Sequence, residues 1–70
     1  MKYKIGDIIL LRDDLFIDEK YGDHYFTEEM TPLLGSEGRI TEIDTFMYSG
    51  YKIEGSQNYW TDQMIVQKKE

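Results

Sequence analysis

Cysteine and alanine are both absent from this 70-residue chain, and each absence excludes a class of structure. Without cysteine the chain can form no disulfide and offers no thiolate to a metal ion. With His24 as the only histidine, a zinc ion would depend almost entirely on carboxylates, which is unusual. Alanine is the best helix former, so its absence argues against a helical bundle and favours a β-rich fold. We therefore expect no metal and no cofactor, and a fold stabilised by aromatic and aliphatic packing.

Basic residues and long apolar runs are also scarce. The chain has eight Lys and Arg residues and fourteen Asp and Glu residues, which gives a net charge of −6. Nucleic-acid backbones bind to clustered Lys and Arg, so this composition makes nucleic acid an unlikely partner. The longest apolar run, Ile8–Leu11, is far too short to span a membrane, and residues 1–7 do not resemble a signal peptide. The sequence predicts a single cytoplasmic domain over residues 1–70.

Short segments rich in aromatic and β-branched residues, separated by turn residues, predict strands. These segments are residues 8–12, 39–44, 51–54, 59–60 and 65–66. Ile40 and Ile43 are three apart and can share a face only if a bulge lies between them. Gly50 is the expected turn residue of the connection before the third strand, and the polar tail after Val66 is expected to fray.

Residues 13–36 form a long acidic connection with no sustained strand or helix period. It contains seven carboxylates and an aromatic cluster, which predicts either a functional loop or a loop packed on the core. Within it, residues 27–30 are typical of one helical turn with Thr27 as N-cap, ended by Pro32.

One local pattern occurs twice, in residues 25–30 and 59–64. Each copy runs aromatic pair, threonine, two polar residues and methionine. We interpret it as one local solution used twice, in which an aromatic anchors the chain, a capped turn reverses it and methionine fills the core. A second interpretation, that the two aromatic pairs lie side by side, stays open.

The predicted order is one strand, a long loop, three strands, a single helical turn and a closing strand. This order is similar to that of a small SH3-like barrel of about five strands. Three segments, 5–10, 21–23 and 59–65, together with Gly35-Ser36-Glu37-Gly38 and the Phe26–Met30 spacing, resemble the Mind-bomb-type SH3-like domain, and still more the small stand-alone phage and prophage proteins of that kind. The resemblance implies a substrate-binding module that recognises peptide segments, and it brings no catalytic residues.

Aromatic side chains in loops more often serve binding than packing, and SH3-like domains use aromatic-lined grooves for extended peptides. The carboxylates of the long loop could attract a basic partner, although the commonest reason for such a run is solvation. The candidate ligand-binding residues are Tyr21, Tyr25, Tyr48, Tyr59, Asp13, Asp14, Glu28 and Glu29. Adjacent strand residues face opposite sides, so we expect Trp60 in the core and leave Tyr59 open between packing and ligand contact. Phe26 is expected to cover the bottom of the barrel, whereas Tyr21 stays open in the same way.

The sequence offers little for catalysis. Adjacent exposed carboxylates, such as Asp13 and Asp14, lack the burial that separates two carboxyl pKa values. The serines lie beside glycines with no nucleophile-elbow pattern, and residues 18–23 do not match a calcium loop. We therefore expect no enzyme activity.

Three functional hypotheses follow. The first is a module that binds a peptide or protein, as a monomer or weak homo-oligomer. The second is a phage-encoded inhibitor that occupies a basic surface of a host or defence protein through its acidic loop. The third and weakest is a nucleic-acid-binding small barrel.

Overall fold

The computed structural model describes residues 1–70 and contains seven short strands and two 3-10 helices. The strands are β1 (Ile8–Leu11), β2 (Lys20–Tyr21), β3 (His24–Tyr25), β4 (Glu37–Asp44), β5 (Gly50–Ile53), β6 (Tyr59–Trp60) and β7 (Ile65–Lys68). The 3-10 helices are Glu28–Leu33 and Asp62–Met64. Neither helix has the length and apolar character needed to cross a membrane.

Five strands form one antiparallel sheet in the order β6-β5-β4-β1-β7, and β2 and β3 form a separate two-stranded ribbon. β1 therefore lies between the strand that follows the long connection and the strand that closes the chain. This is the arrangement of an SH3-like barrel, with its long loop after β1 and its single helical turn before β7. The all-β fold expected from the sequence is confirmed.

Strand β4 contains the expected bulge. Its register against β5 shifts between Ile40 and Glu42. Because of this shift, Ile40 is fully buried and Ile43 also packs against the core. The prediction that the chain frays after Val66 is wrong, because β7 continues to Lys68 and the Lys69 N–H donates to the Ile8 carbonyl at 2.7 Å.

The long connection is more ordered than its sequence indicates. It contains the β2–β3 ribbon and a six-residue 3-10 helix. Pro32 lies inside that helix and does not end it. The fixed φ of proline is compatible with helical backbone, and the segment continues until the Leu34 N–H donates to the Thr31 carbonyl at 3.1 Å.

The core explains the repeated pattern. Thr27 and Thr61 have nearly identical extended conformations, with φ and ψ of −113° and 166° against −111° and 167°. The methionine three residues after each threonine is buried, so the backbone turn and its core filler are used twice. Both threonines lie at N-cap positions, but the predicted side-chain caps are wrong, because neither side chain makes a cap hydrogen bond, and the Thr61 hydroxyl donates to the Tyr21 carbonyl instead. The second interpretation holds for one ring of each pair, because Phe26 and Trp60 pack edge to face with centroids 6.0 Å apart, whereas Tyr25 is exposed and does not contact Tyr59. The buried apolar residues are Tyr3, Ile9, Leu11, Leu15, Phe26, Met30, Ile40, Tyr51, Ile53, Trp60, Met64 and Ile65.

Candidate functional site

Two hairpins meet beside strand β6. The Asp23 carboxylate, in the β2–β3 turn, accepts a hydrogen bond from the Ser49 N–H at 2.9 Å. On the same ribbon, the Tyr21 carbonyl accepts a hydrogen bond from the Thr61 hydroxyl at 2.6 Å. These two bonds connect the β2–β3 ribbon to the β4–β5 connection and to the end of β6.

His24 lies at the centre of this junction. Its ring stacks on Tyr59 with centroids 5.2 Å apart and an interplanar angle of 19°. The Tyr48 ring contacts the same imidazole edge to face, at 6.2 Å and 68°. The imidazole Nε2 is buried and has no hydrogen-bond partner. We call these three rings, His24, Tyr48 and Tyr59, the aromatic shelf.

Gly50 makes room for the shelf. The sequence predicts it as a turn residue, but the structure places it, buried, at the start of β5. A Cβ atom at this position would lie 3.0 Å from Cδ2 and Nε2 of His24 and from Cβ of Tyr59. Glycine therefore allows a close approach between backbone and rings here.

The β4–β5 connection projects beyond the shelf. Phe46 is 92% exposed and Met47 is 73% exposed, the highest values among the large apolar residues. We call these two side chains the apolar tip. The Phe46 N–H donates to the Asp44 carboxylate at 2.9 Å, an Asx-type turn that holds the start of the loop. With the bond between Asp23 and Ser49 at the other end of the loop, the tip is held at both ends.

Acidic side chains surround the shelf. Burial of the Tyr59 hydroxyl, together with the charges of Glu42 and Asp44, raises the pKa of Tyr59. The Tyr59 hydroxyl donates to Glu42 at 3.4 Å, and the Lys52 ammonium lies 5.4 Å from the centre of the Tyr59 ring. None of the four ion pairs of the chain includes Glu42, Asp44 or Asp23, although Lys52 lies opposite Glu42 in the sheet.

Of the tyrosines expected in the site, the structure brings Tyr48 and Tyr59 together, through His24. Tyr25 directly follows His24 in β3, so it lies on the other face of the ribbon, beside its cross-strand partner Lys20. It is 58% exposed there, with the Lys20 ammonium 6.0 Å from its ring centre.

Tyr21 has a packing role. It is half-buried against the core. Its hydroxyl accepts a hydrogen bond from the Phe16 N–H at 3.0 Å, and the Arg12 guanidinium lies 5.5 Å from its ring centre. These contacts hold the first part of the long loop against the ribbon.

The four candidate carboxylates lie away from the shelf, and no hydrogen bond or ion pair joins any of them to it. Asp14 accepts two hydrogen bonds from Arg12, at 2.8 and 3.1 Å, and the first of these contacts lowers the pKa of Asp14. Asp13 is exposed beside Gly35. Glu28 and Glu29 are exposed in the first turn of the first 3-10 helix, where negative charge is favourable.

The residues that sequence reasoning missed are His24, the apolar tip and the three carboxylates around the shelf. A signal for the tip exists, since Phe46-Met47-Tyr48 is a run of three large apolar residues inside a predicted connection, where polar residues are the rule. No local signal identifies His24, because its two ring partners lie 24 and 35 positions away in the chain. No group of three or more His, Cys, Asp or Glu side chains in the chain is placed to hold a metal ion.

Comparison with protein-family models, with curated protein sequences and with solved structures found no match to this chain.

Proposed function

We propose that this chain is a non-enzymatic binding module that recognises a peptide or protein partner through the aromatic shelf and the apolar tip. The observation that carries the proposal is the exposure of Phe46, Met47 and Tyr48 on a loop that is held at both ends. Large exposed apolar side chains on a rigid support are typical of interaction sites. The resemblance to the Mind-bomb-type domain supports peptide recognition.

His24 has a packing role in the shelf. His24 is the sole imidazole, and its Nε2 is buried without a hydrogen-bond partner. Its ring packs between the rings of Tyr48 and Tyr59. This supports a binding role without enzyme activity.

A second candidate function is inhibition of another protein by occupation of its basic surface. The specific observation that favours it is the set of unpaired carboxylates, Asp23, Glu42 and Asp44, beside the shelf. The same carboxylates repel phosphate groups and make nucleic acid a poor partner. The phage or prophage origin, the cytoplasmic location and the monomeric or weakly oligomeric state that we expect rest on the sequence alone.

The experiment is a selection of random 12-residue peptides displayed on phage against the immobilised chain. We expect enriched peptides that, added to isotope-labelled protein, shift the NMR signals of His24, Tyr48 and Tyr59 before other signals. The matched control is Phe16→Ala, which removes an exposed ring (70%) from the long loop and should leave binding unchanged.

Two results would contradict the proposal. One is the absence of any enriched peptide over an unrelated protein. The other is a set of enriched peptides whose NMR footprint lies away from the aromatic shelf and the apolar tip.

A further inference from the structure

The surface beside the shelf combines exposed apolar side chains with unpaired negative charge. From this combination we infer that the partner supplies an extended basic segment, in which a large apolar side chain is flanked by Lys or Arg. The inference rests on the proposed function and adds the chemistry of the partner to it.

The apolar part of the inference comes from the tip. Phe46 and Met47 keep most of their surface in water, although twelve other apolar residues of this small chain are buried. A partner side chain placed between the tip and the shelf would cover Phe46 and Tyr48 together. Since a ring at the centre of an interface is a common hot spot, we expect its truncation to weaken binding by about 30-fold or more.

The basic part comes from the distribution of charge. Asp23 and Asp44 each use one carboxylate oxygen to accept a loop N–H, which leaves the second oxygen of each free. Glu42 makes a single long contact, to the Tyr59 hydroxyl. Glu42 and Asp44 lie near the Tyr59 hydroxyl, and Asp23 directly precedes His24 in the β2–β3 turn, so all three border the shelf.

Seven of the eight Lys and Arg residues of the chain have a contact of their own, and one of these, Lys52, lies at the shelf over the Tyr59 ring. Four of them form ion pairs, and these are Arg12, Arg39, Lys68 and Lys69. Three lysines lie over tyrosine rings, and these are Lys2, Lys20 and Lys52. Asp23, Glu42 and Asp44 thus form no ion pair within the chain, although Lys52 lies opposite Glu42 in the sheet, and a cation of the partner can supply one.

The same charge argues against three other occupants. Phosphate groups of a nucleic acid and the headgroups of an anionic membrane would be repelled by Asp23, Glu42 and Asp44. A second copy of the chain would carry the same three carboxylates and a net charge of −6 to the contact.

The test uses synthetic peptides made from the selected sequences, with affinities measured by fluorescence anisotropy. One variant is Phe46→Ala. A second is the triple variant Asp23→Asn, Glu42→Gln, Asp44→Asn, which removes the charge while the amide oxygens can still accept the loop hydrogen bonds. The controls are Phe16→Ala for the apolar change and Glu70→Gln, at the end of the chain, for the charge change.

We expect the enriched sequences to contain an aromatic or large aliphatic residue beside Lys or Arg. The triple variant should bind about tenfold or more weakly, at roughly two- to fivefold for each charge. Binding to the wild-type chain should weaken as salt rises from about 50 to 500 mM, and binding to the triple variant should change little.

The failures of the two proposals can be told apart. Peptides that bind at the shelf but are neutral or acidic would overturn the basic partner and not the binding module. The same holds for peptides that bind the triple variant as tightly as the wild-type chain. Peptides that footprint elsewhere overturn both. Binding of phosphatidylserine vesicles or of a 20-nucleotide DNA that is lost in Phe46→Ala would also overturn the basic partner.

Discussion

Replacement of Gly50 by alanine tests whether the aromatic shelf packs as described. The added Cβ would lie 3.0 Å from two ring atoms of His24 and from Cβ of Tyr59, so the neighbours must move. Overpacking of this kind destabilises a protein by roughly 1–3 kcal/mol. Alanine also lowers the conformational entropy of the unfolded chain relative to glycine, which stabilises the folded state by about 0.4–1 kcal/mol. The φ of Gly50 is not in the left-handed region, so backbone strain adds nothing. The difference between the two ranges is about 0–2.6 kcal/mol, and near its middle we expect a net loss of about 1–2 kcal/mol in the free energy of unfolding.

The assay is thermal unfolding followed by the fluorescence of Trp60, the only tryptophan and fully buried. For a domain of this size the expected loss lowers the midpoint by about 5–15 °C. In the double variant Gly50→Ala, His24→Ala the steric conflict with the imidazole is gone, so the two losses should add to more than the measured total. A Gly50→Ala chain that melts at or above the wild-type temperature would refute the packing of His24 over Gly50.

Two further predictions concern the hydrogen bonds made by the Tyr51 and Thr61 hydroxyls. Tyr51→Phe removes a hydroxyl that donates to Asp62 at 2.5 Å and accepts from the Tyr3 N–H at 3.1 Å, so urea denaturation should show a loss of about 1–3 kcal/mol. Burial and the bond to Asp62 raise the pKa of Tyr51 to about 12 from 10.0. Between pH 10 and 12 the folded chain keeps a proton on Tyr51 that the unfolded chain loses, so the free energy of unfolding should fall by about 1.4 kcal/mol per pH unit. The Tyr51→Phe chain should lack this part of the fall. An identical pH profile in both chains would contradict the prediction. Thr61→Val removes the donor to the Tyr21 carbonyl, and we expect faster amide exchange across residues 20–25 by NMR, with unchanged exchange counting against that bond.

Much of the fold could be predicted because its signals are local. The 59–64 segment contains its aromatic pair, its threonine and its methionine within six positions, and the observed β6 and second 3-10 helix match them. The bulge after Ile40 follows from the spacing of two isoleucines alone. These features depend on neighbouring residues in the chain, which a sequence shows directly.

The candidate site could be predicted only in part because its contacts are long-range. Tyr48 and Tyr59 are recognisable as loop and strand aromatics, but their common partner, His24, is set by the docking of one hairpin on another. The sequence points to the acidic run of the long loop because its carboxylates are close together in the chain. In the structure Asp14 forms an ion pair with Arg12. The carboxylates without an ion pair beside the shelf include Glu42, which lies outside that run.

The division of charge and apolar surface in this site has a kinetic consequence. Exposed ion pairs contribute little to stability. The four ion pairs of the chain matter here because none of them includes Asp23, Glu42 or Asp44. Unpaired surface charge acts over a Debye length and mainly accelerates encounter with an oppositely charged partner. A ring that loses its water on binding, as we expect for Phe46, acts only at contact and mainly slows dissociation. The carboxylates and the apolar tip should therefore be separable, the first through the association rate and its salt dependence, the second through the dissociation rate.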